Sequence, residues 1–321
     1  MLLSLAFVII GLVLLVYGAD VFVVGAASIA RILGMSSLMI GLIVVGFATS
    51  APEIIVGSVS AWNGKTSIAI GNAIGSNITN VGLVLGVSIL LMPIVINSKT
   101  LMREFILMVL SIGLALVLIL DGSLDRIDGI ILCVAIMLVF YEIIRIARKA
   151  KKNDPIIAEF DQEYTEVDSS GKSVFKLIIG LTMLLIGAAL LVRGASDIAR
   201  QFGVSDLIIG LTIVAIGTSL PELAASIASL MKKEADIAIG NVIGSNMFNM
   251  LAVMGIPALI NPVAVDSAVY TRDYPVMCGL TLLLAIMLFA TKKHKLYRGE
   301  GILLAFCFFA YQYLLYVNTI T

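Results

Sequence analysis

One histidine, one tryptophan and three cysteines are spread through 321 residues, and only 13% of the chain is charged. Each scarcity excludes something. Cys133, Cys278 and Cys307 stand far apart in apolar stretches, which suggests neither a disulfide framework nor a metal cluster. His294 lies in the basic run KKHK, where it reads as an exposed charge. Water-soluble domains are missing as well. The one long polar segment, Arg145 to Lys172, is too short and too charged to build a core. The first apolar stretch lacks a basic n-region before it and a small-residue cleavage site after it. It therefore reads as a retained helix and not as a removed signal peptide.

What fills the chain instead is apolar. Hydrophobic residues make up 60%, and the mean hydropathy is +1.10, which places the sequence in the membrane class. A spanning helix needs about 20 mostly apolar residues. Ten stretches qualify: 2–30, 37–60, 67–92, 104–120, 127–146, 174–199, 206–230, 236–260, 274–291 and 298–317. The expected fold class is an all-α polytopic membrane protein. Lys and Arg in short loops favour the cytoplasmic side. With both termini outside, sixteen of the 21 basic residues fall on inward loops and five on outward ones (Lys65, Arg126, Arg193, Arg200 and Arg272). Omitting one helix would scramble this alternation. The basic run Arg145 to Lys152, followed by the acidic patch Glu159 to Asp168, reads first as a topological signal and second as a regulatory segment.

Shifted by 169 residues, the sequence matches itself. TSAPE, Thr49 to Glu53, meets TSLPE, Thr218 to Glu222; GNAIGSNITN, Gly71 to Asn80, meets GNVIGSNMFN, Gly240 to Asn249; Ala30 and Arg31 meet Ala199 and Arg200. One offset serves all three blocks. The chain divides into a first five-helix repeat (1–148), a charged cytoplasmic loop (149–173) and a second five-helix repeat (174–321). Five is odd, so the second copy enters the membrane from the opposite face. Inverted repeats of this kind belong mostly to transporters, whose halves exchange conformations around a central site.

The twin motifs carry the chemistry. Read as continuous helix, Pro52 lacks an N–H and crowds the carbonyl of Ala48, as Pro221 crowds that of Gly217. The neighbouring carbonyls of Thr49 and Thr218 are expected to be disturbed too, and carbonyls freed at membrane depth need a partner. Glu53 follows Ser50 and Thr49 by three and four residues, which places all three on one face; Glu222, Ser219 and Thr218 repeat this. An acid inside a membrane costs about 2.5 kcal/mol or more and is functional by default. Two carboxylates, several hydroxyls and free carbonyls are the ligands of a hard cation such as Ca2+. No His or Cys stands beside them, which argues against soft metals. Asn72, Ser76 and Asn80, like Asn241, Ser245 and Asn249, form polar stripes expected to complete the oxygen cage, although such residues also serve as interhelical glue. Gly71 and Gly75, like Gly240 and Gly244, form small-residue pairs that allow close helix approach. Asp20, whose repeat counterpart is Ala189, is read as either structural or functional.

GFATSAPE, GNAIGSNITN, AIGTSLPE and GNVIGSNMFN together resemble the paired repeat motifs of the sodium/calcium exchangers, within the calcium:cation antiporter superfamily. The likeness covers nearly the whole length, in the form of a compact prokaryotic member. It implies that Glu53 and Glu222 are central carboxylates shared by calcium and sodium, joined by the carbonyls of Thr49 and Thr218. It further implies sodium sites at Ser50, Ser76, Ser219 and Ser245, with carbonyls near Gly46 and Ala215, and a cage lined by Asn80 and Asn249. The first and sixth spans would slide as a gating bundle against the other eight. Some relatives carry aspartate where Asn249 stands. With asparagine in both repeats the cage holds two formal charges, which weakens the case for potassium dependence and leaves sodium stoichiometry open. Two carboxylates balance one Ca2+, and three Na+ would leave one positive charge over.

The expected activity is Ca2+ exchange for Na+ by alternating access, extruding calcium across a prokaryotic inner membrane. Its partners are the lipid bilayer and the two ions. No enzyme activity, cofactor, nucleic acid or obligate protein partner is expected. The alternative is cation/proton exchange in the same superfamily. An intramembrane protease would need paired aspartates and their signature, and a passive channel would not need the inverted repeat.

Overall fold

The computed structural model describes residues 1–33, 35–96, 101–150, 169–203, 215–290 and 295–320. Most of the inter-repeat loop, the start of the expected seventh span and His294 lie outside them. The apolar stretches fold as helices because a backbone in lipid must satisfy its own polar groups. In chain order these are α1 (Leu2–Leu33), α2 (Ser37–Thr49) and α3 (Ala51–Trp62), bent by 40° at their junction. Then come α4 (Thr66–Leu91), α5 (Leu101–Ile119), α6 (Arg126–Ala150) and α7 (Ser170–Gln201). The chain continues with α8 (Ala215–Thr218) and α9 (Leu220–Met231), α10 (Ala235–Ile260) and α11 (Val269–Phe289), and α12 (Arg298–Ile320).

Among the described residues, seven helices are long and apolar enough to cross a membrane, and the bent pair α2–α3 makes an eighth. Of the two other stretches expected to span, 127–146 lies within α6, and the described part of 206–230 forms α8 and α9; neither is among the helices that reach that length and apolarity. The ninth expected span begins earlier than 274, because a π-helical turn, Val269–Asp273, precedes Tyr274.

Burial sorts the helices. In α4 and α10, 78% and 83% of the apolar window is enclosed by protein, against 28% in α1 and 22% in α7. The repeated Gly-Asn-Ser helices are therefore central. Ile78, Val84, Ile239, Val242, Ile243, Leu251 and Val253 are packed there without exposure. Both central helices contain a π-helical stretch that starts on the last asparagine of its motif, Asn80–Leu85 and Asn249–Val253. Such stretches re-aim side chains and recur at functional sites.

α1 and α7 lie together at the periphery, and their apolar cluster, which includes Leu15, Phe22, Leu184 and Ala188, is shared with Ile40 of α2 and Ala225 of α9. Glycines seven residues apart make the contact. A Cβ on Gly11 would lie 2.8 Å from the Gly187 carbonyl oxygen, one on Gly25 2.6 Å from the Leu177 nitrogen, and one on Gly180 2.4 Å from the Phe22 nitrogen. Partner numbers fall along α7 as they rise along α1, so the two helices run antiparallel. One ion pair, Lys232 Nζ to Asp20 Oδ1 at 2.5 Å, links α1 to the end of α9. It gives Asp20 a structural partner.

Four short strands occur among the described residues. β1 (Ile94–Val95) pairs with β4 (Lys295–Leu296), and β2 (Ser123–Leu124) pairs with β3 (Val263–Ala264), both antiparallel. The registers put Ile94 opposite Leu296 and Ser123 opposite Ala264. Each ribbon takes one strand from each half of the sequence.

Candidate functional site

The proline motifs do not crowd a continuous helix, as the sequence reading assumed. One helix stops and another starts. Ser50 leaves the helical region at φ −80° and ψ 3°, and Ser219 does so at φ −91° and ψ 7°. Pro52 and Pro221 then occupy the first turn of α3 and α9, where a missing N–H costs nothing. Two electrostatic consequences follow. Glu53 and Glu222 stand in those first turns, where the helix dipole favours a negative charge. Thr49 and Thr218 are the last residues of α2 and α8, so both carbonyls stand at a helix end beside the break.

Close backbone packing assembles the rest. A Cβ on Gly240 would lie 2.4 Å from the Leu38 carbonyl oxygen, and one on Gly244 2.4 Å from that of Leu42. α10 therefore touches the backbone of α2. The repeat-equivalent neighbours of Gly71 and Gly75, near 207–211, lie outside the described residues. Beside Gly244, Ser245 Oγ donates to the Gly46 carbonyl at 3.3 Å, which also accepts the Ser50 N–H at 3.1 Å. Thr49 Oγ1 lies 3.0 Å from the Val45 carbonyl and 3.2 Å from Asn241 Oδ1.

Asn72 and Asn241, expected to line the cage, act as braces. Asn72 Nδ2 donates to the Glu53 carbonyl at 3.4 Å, and Asn241 Nδ2 to the Glu222 carbonyl at 3.1 Å. Asn241 Nδ2 also meets Ser226 Oγ at 3.0 Å. Asn241 thus joins three groups and Asn72 one. Asn241→Leu is expected to lower stability by about 3 kcal/mol and Asn72→Leu by about 1 kcal/mol, on the cost of unpaired buried groups. Chemical unfolding of the detergent-solubilised protein measures both, and equal losses would contradict the asymmetry.

The two carboxyl groups are buried, each 1% exposed, and close enough for their charges to act on each other. Ser50 Oγ lies 3.5 Å from Glu222 Oε1, so Ser50 serves the glutamate of the other half, not the one on its own motif. Both oxygens of Glu53, Glu222 Oε2, Ser219 Oγ, Asn80 Oδ1 and Asn249 Oδ1 are buried without a hydrogen-bond partner. Native interiors tolerate few such atoms, and the six, drawn from two pairs of motifs, are oxygens of the kind a hard cation takes. Ser76 is buried on α4. Thr218 borders a cavity of about 480 Å³ beside Pro52 and Pro221, closed on one side by Leu185 and Val192 of α7. Ala215 opens α8. The π-helical stretch beginning at Asn80 packs against α9, and that beginning at Asn249 packs against α3.

Asn77 and Asn246 escaped the sequence reading because they fall off the four-residue stripe. In the structure Asn80 Nδ2 donates to Asn246 Oδ1 and Asn249 Nδ2 to Asn77 Oδ1, both at 3.1 Å. Their recurrence at the 169-residue offset was the available signal.

Known proteins extend this geometry. The chain is 45% identical over 317 residues to the putative antiporter CaxA of Alkalimonas amylolytica, covering 98% of this chain and 99% of the relative. It is 39% identical over 318 residues to the inner membrane protein YrbG of Escherichia coli, covering 98% of each. Among solved structures it resembles the sodium-calcium exchanger NCX_Mj with a TM-score of 0.82 at 34% identity, over 97% of this chain and 98% of that one. The profile described as sodium/calcium exchanger protein matches residues 3–144 and 172–317. On that match, which takes in both proline motifs, the chain belongs to the sodium/calcium exchanger family of membrane antiporters.

Proposed function

We propose that the chain exchanges Ca2+ for Na+ by alternating access, extruding calcium from a prokaryotic cell. The observation that carries this reading is the group of six unpartnered buried oxygens around Glu53 and Glu222. Glu53 and Glu222 bind both ions. The Thr49 and Thr218 carbonyls, with the amide oxygens of Asn80 and Asn249, complete a hard-oxygen cage suited to Ca2+. Ser50, Ser76, Ser219 and Ser245, with carbonyls at Gly46 and Ala215, form the flanking sodium sites. Each half (1–148 and 174–321) contributes five spans in opposite orientation, joined by the loop 149–173, with both termini outside the cytoplasm. The antiparallel α1–α7 pair and the mirrored breaks at Ser50 and Ser219 support that arrangement. The inner membrane named for the Escherichia coli relative supports the location.

Coupling follows from charge. An empty cage leaves two bare carboxylates in a medium that solvates them poorly. Motion is therefore favoured only when cations neutralise them. Reconstituted protein should take up ⁴⁵Ca2+ when an outward Na+ gradient drives it. It should not do so when a proton or potassium gradient is imposed at constant Na+. Uptake driven by the proton gradient instead would replace this reading with cation/proton exchange.

A further inference from the structure

Two mirrored relays of side chains end at the cage. In one, Asn77 Nδ2 lies 3.4 Å from the Met277 sulfur and Asn77 Oδ1 accepts from Asn249 Nδ2 at 3.1 Å. In the other, Asn246 Nδ2 lies 3.7 Å from the Met108 sulfur and Asn246 Oδ1 accepts from Asn80 Nδ2 at 3.1 Å. The methionines are 169 residues apart, as are both pairs of asparagines. All six side chains are buried. Each relay finishes on an amide oxygen, of Asn249 or Asn80, that has no partner.

An amide is nearly symmetric in shape but not in chemistry: one end only donates and the other only accepts. Which end faces a site is decided by what holds the other. A thioether has no proton to give, so the Met277 sulfur can take only the NH2 end of Asn77. That leaves Asn77 Oδ1 to face Asn249, which must answer with its own NH2, and the free end of Asn249 is then oxygen. The same logic runs from Met108 through Asn246 to Asn80. A flipped terminal amide would present N–H donors to a cation and repel it.

We infer that Met277 and Asn77, and Met108 and Asn246, are positioning residues that hold the Asn249 and Asn80 amides oxygen-inward, and that they thereby set the affinity of the cage for divalent cations. This rests on reading the cage as a Ca2+ site. The relays matter because both terminal positions are asparagine. A carboxylate there would offer oxygen whichever way it turned.

That difference supplies the test. Equilibrium ⁴⁵Ca2+ binding is measured on the full chain in nanodiscs. Met277→Leu keeps the volume and removes the sulfur. It is expected to weaken Ca2+ binding by about three- to tenfold, the range of one modest hydrogen bond. In an Asn249→Asp background the same Met277→Leu change is expected to have no measurable effect. Unchanged affinity in the Asn249 protein overturns the inference. So does an equal loss in both backgrounds, which would indicate a packing role. Asn77→Ala, one link nearer the cage, is expected to lose at least as much as Met277→Leu, and a smaller loss also overturns it. Glu53→Gln run alongside separates the two levels. If the unaltered protein shows no Glu53-dependent Ca2+ binding, the cage itself fails and the relays fail with it. If that binding is present and Met277→Leu is silent, the relays fail and the cage stands.

Discussion

Glu53→Gln or Glu222→Gln is expected to reduce Na+-driven ⁴⁵Ca2+ uptake by at least about 100-fold, because each removes half the charge that a desolvated Ca2+ must find in the cage. Losing one partner of a buried ionic contact costs about 3–5 kcal/mol, which is about two to four powers of ten. The substitution keeps shape and one acceptor oxygen, so the loss is electrostatic. The ion-free protein should respond in the opposite sense. With no cation bound, either glutamate that ionises is a buried charge, and it repels the other if that one is ionised too. A neutral amide relieves both penalties. The variants are expected to unfold at the same temperature as the unaltered protein or higher when ions are chelated, and to gain less from added Ca2+. Near-normal uptake from either variant would remove the glutamates from the transport site. Lower ion-free stability would mean that they serve structure.

Gly180→Val is expected to reduce transport by at least about tenfold while leaving Ca2+ binding in place. A side chain at this position on α7 meets the backbone of α1, 2.4 Å from the Phe22 nitrogen and 2.6 Å from its Cα. Backbone cannot give way as a flexible side chain can, so α1 and α7 must part or lock. The nearest atoms to the added Cβ all belong to Phe22 on α1 and none to the binding helices α2–α3 and α8–α9, so if this pair is the moving body the interconversion of states suffers first. Gly279→Val, on α11 with nothing within 4 Å of the added Cβ, controls for the change itself. Flux in reconstituted vesicles and equilibrium Ca2+ binding are compared for the two variants. Unimpaired flux from Gly180→Val would place the moving parts elsewhere. Loss of binding together with flux would mean that the pair supports the cage and not its motion.

The candidate site residues stood out in the sequence because membrane chemistry leaves so few polar choices. A glutamate after a proline in an apolar run has little other use, and the 169-residue offset tied the two halves together. Helix limits were also within reach, since apolar length dictates them: 67–92 was expected where α4 runs Thr66–Leu91. Hydrogen-bond direction was not. Nothing in the spacing of Asn72, Ser76 and Asn80 distinguishes a brace from a ligand, because that depends on which helix backbone ends nearby. Asn72 was grouped with Asn80, yet it is spent on the Glu53 carbonyl. Ser50 was placed with Glu53 on helical spacing, but the chain leaves the helix at Ser50 and turns its hydroxyl to Glu222. Asn77 was passed over because the period of four that picks out Asn72, Ser76 and Asn80 skips it, although Asn77 and Asn80, three residues apart, share a helix face.

The small ribbons restrict what can move. Since β1 is tied to β4 and β2 to β3, the two sequence halves are stitched to each other at two separate seams. A clamshell opening of one half against the other would have to tear both. Under the proposed alternating access, the displacement that exposes the ions is expected to run across the grain of the repeat, with a subset drawn from both halves shifting past a core that stays sewn together.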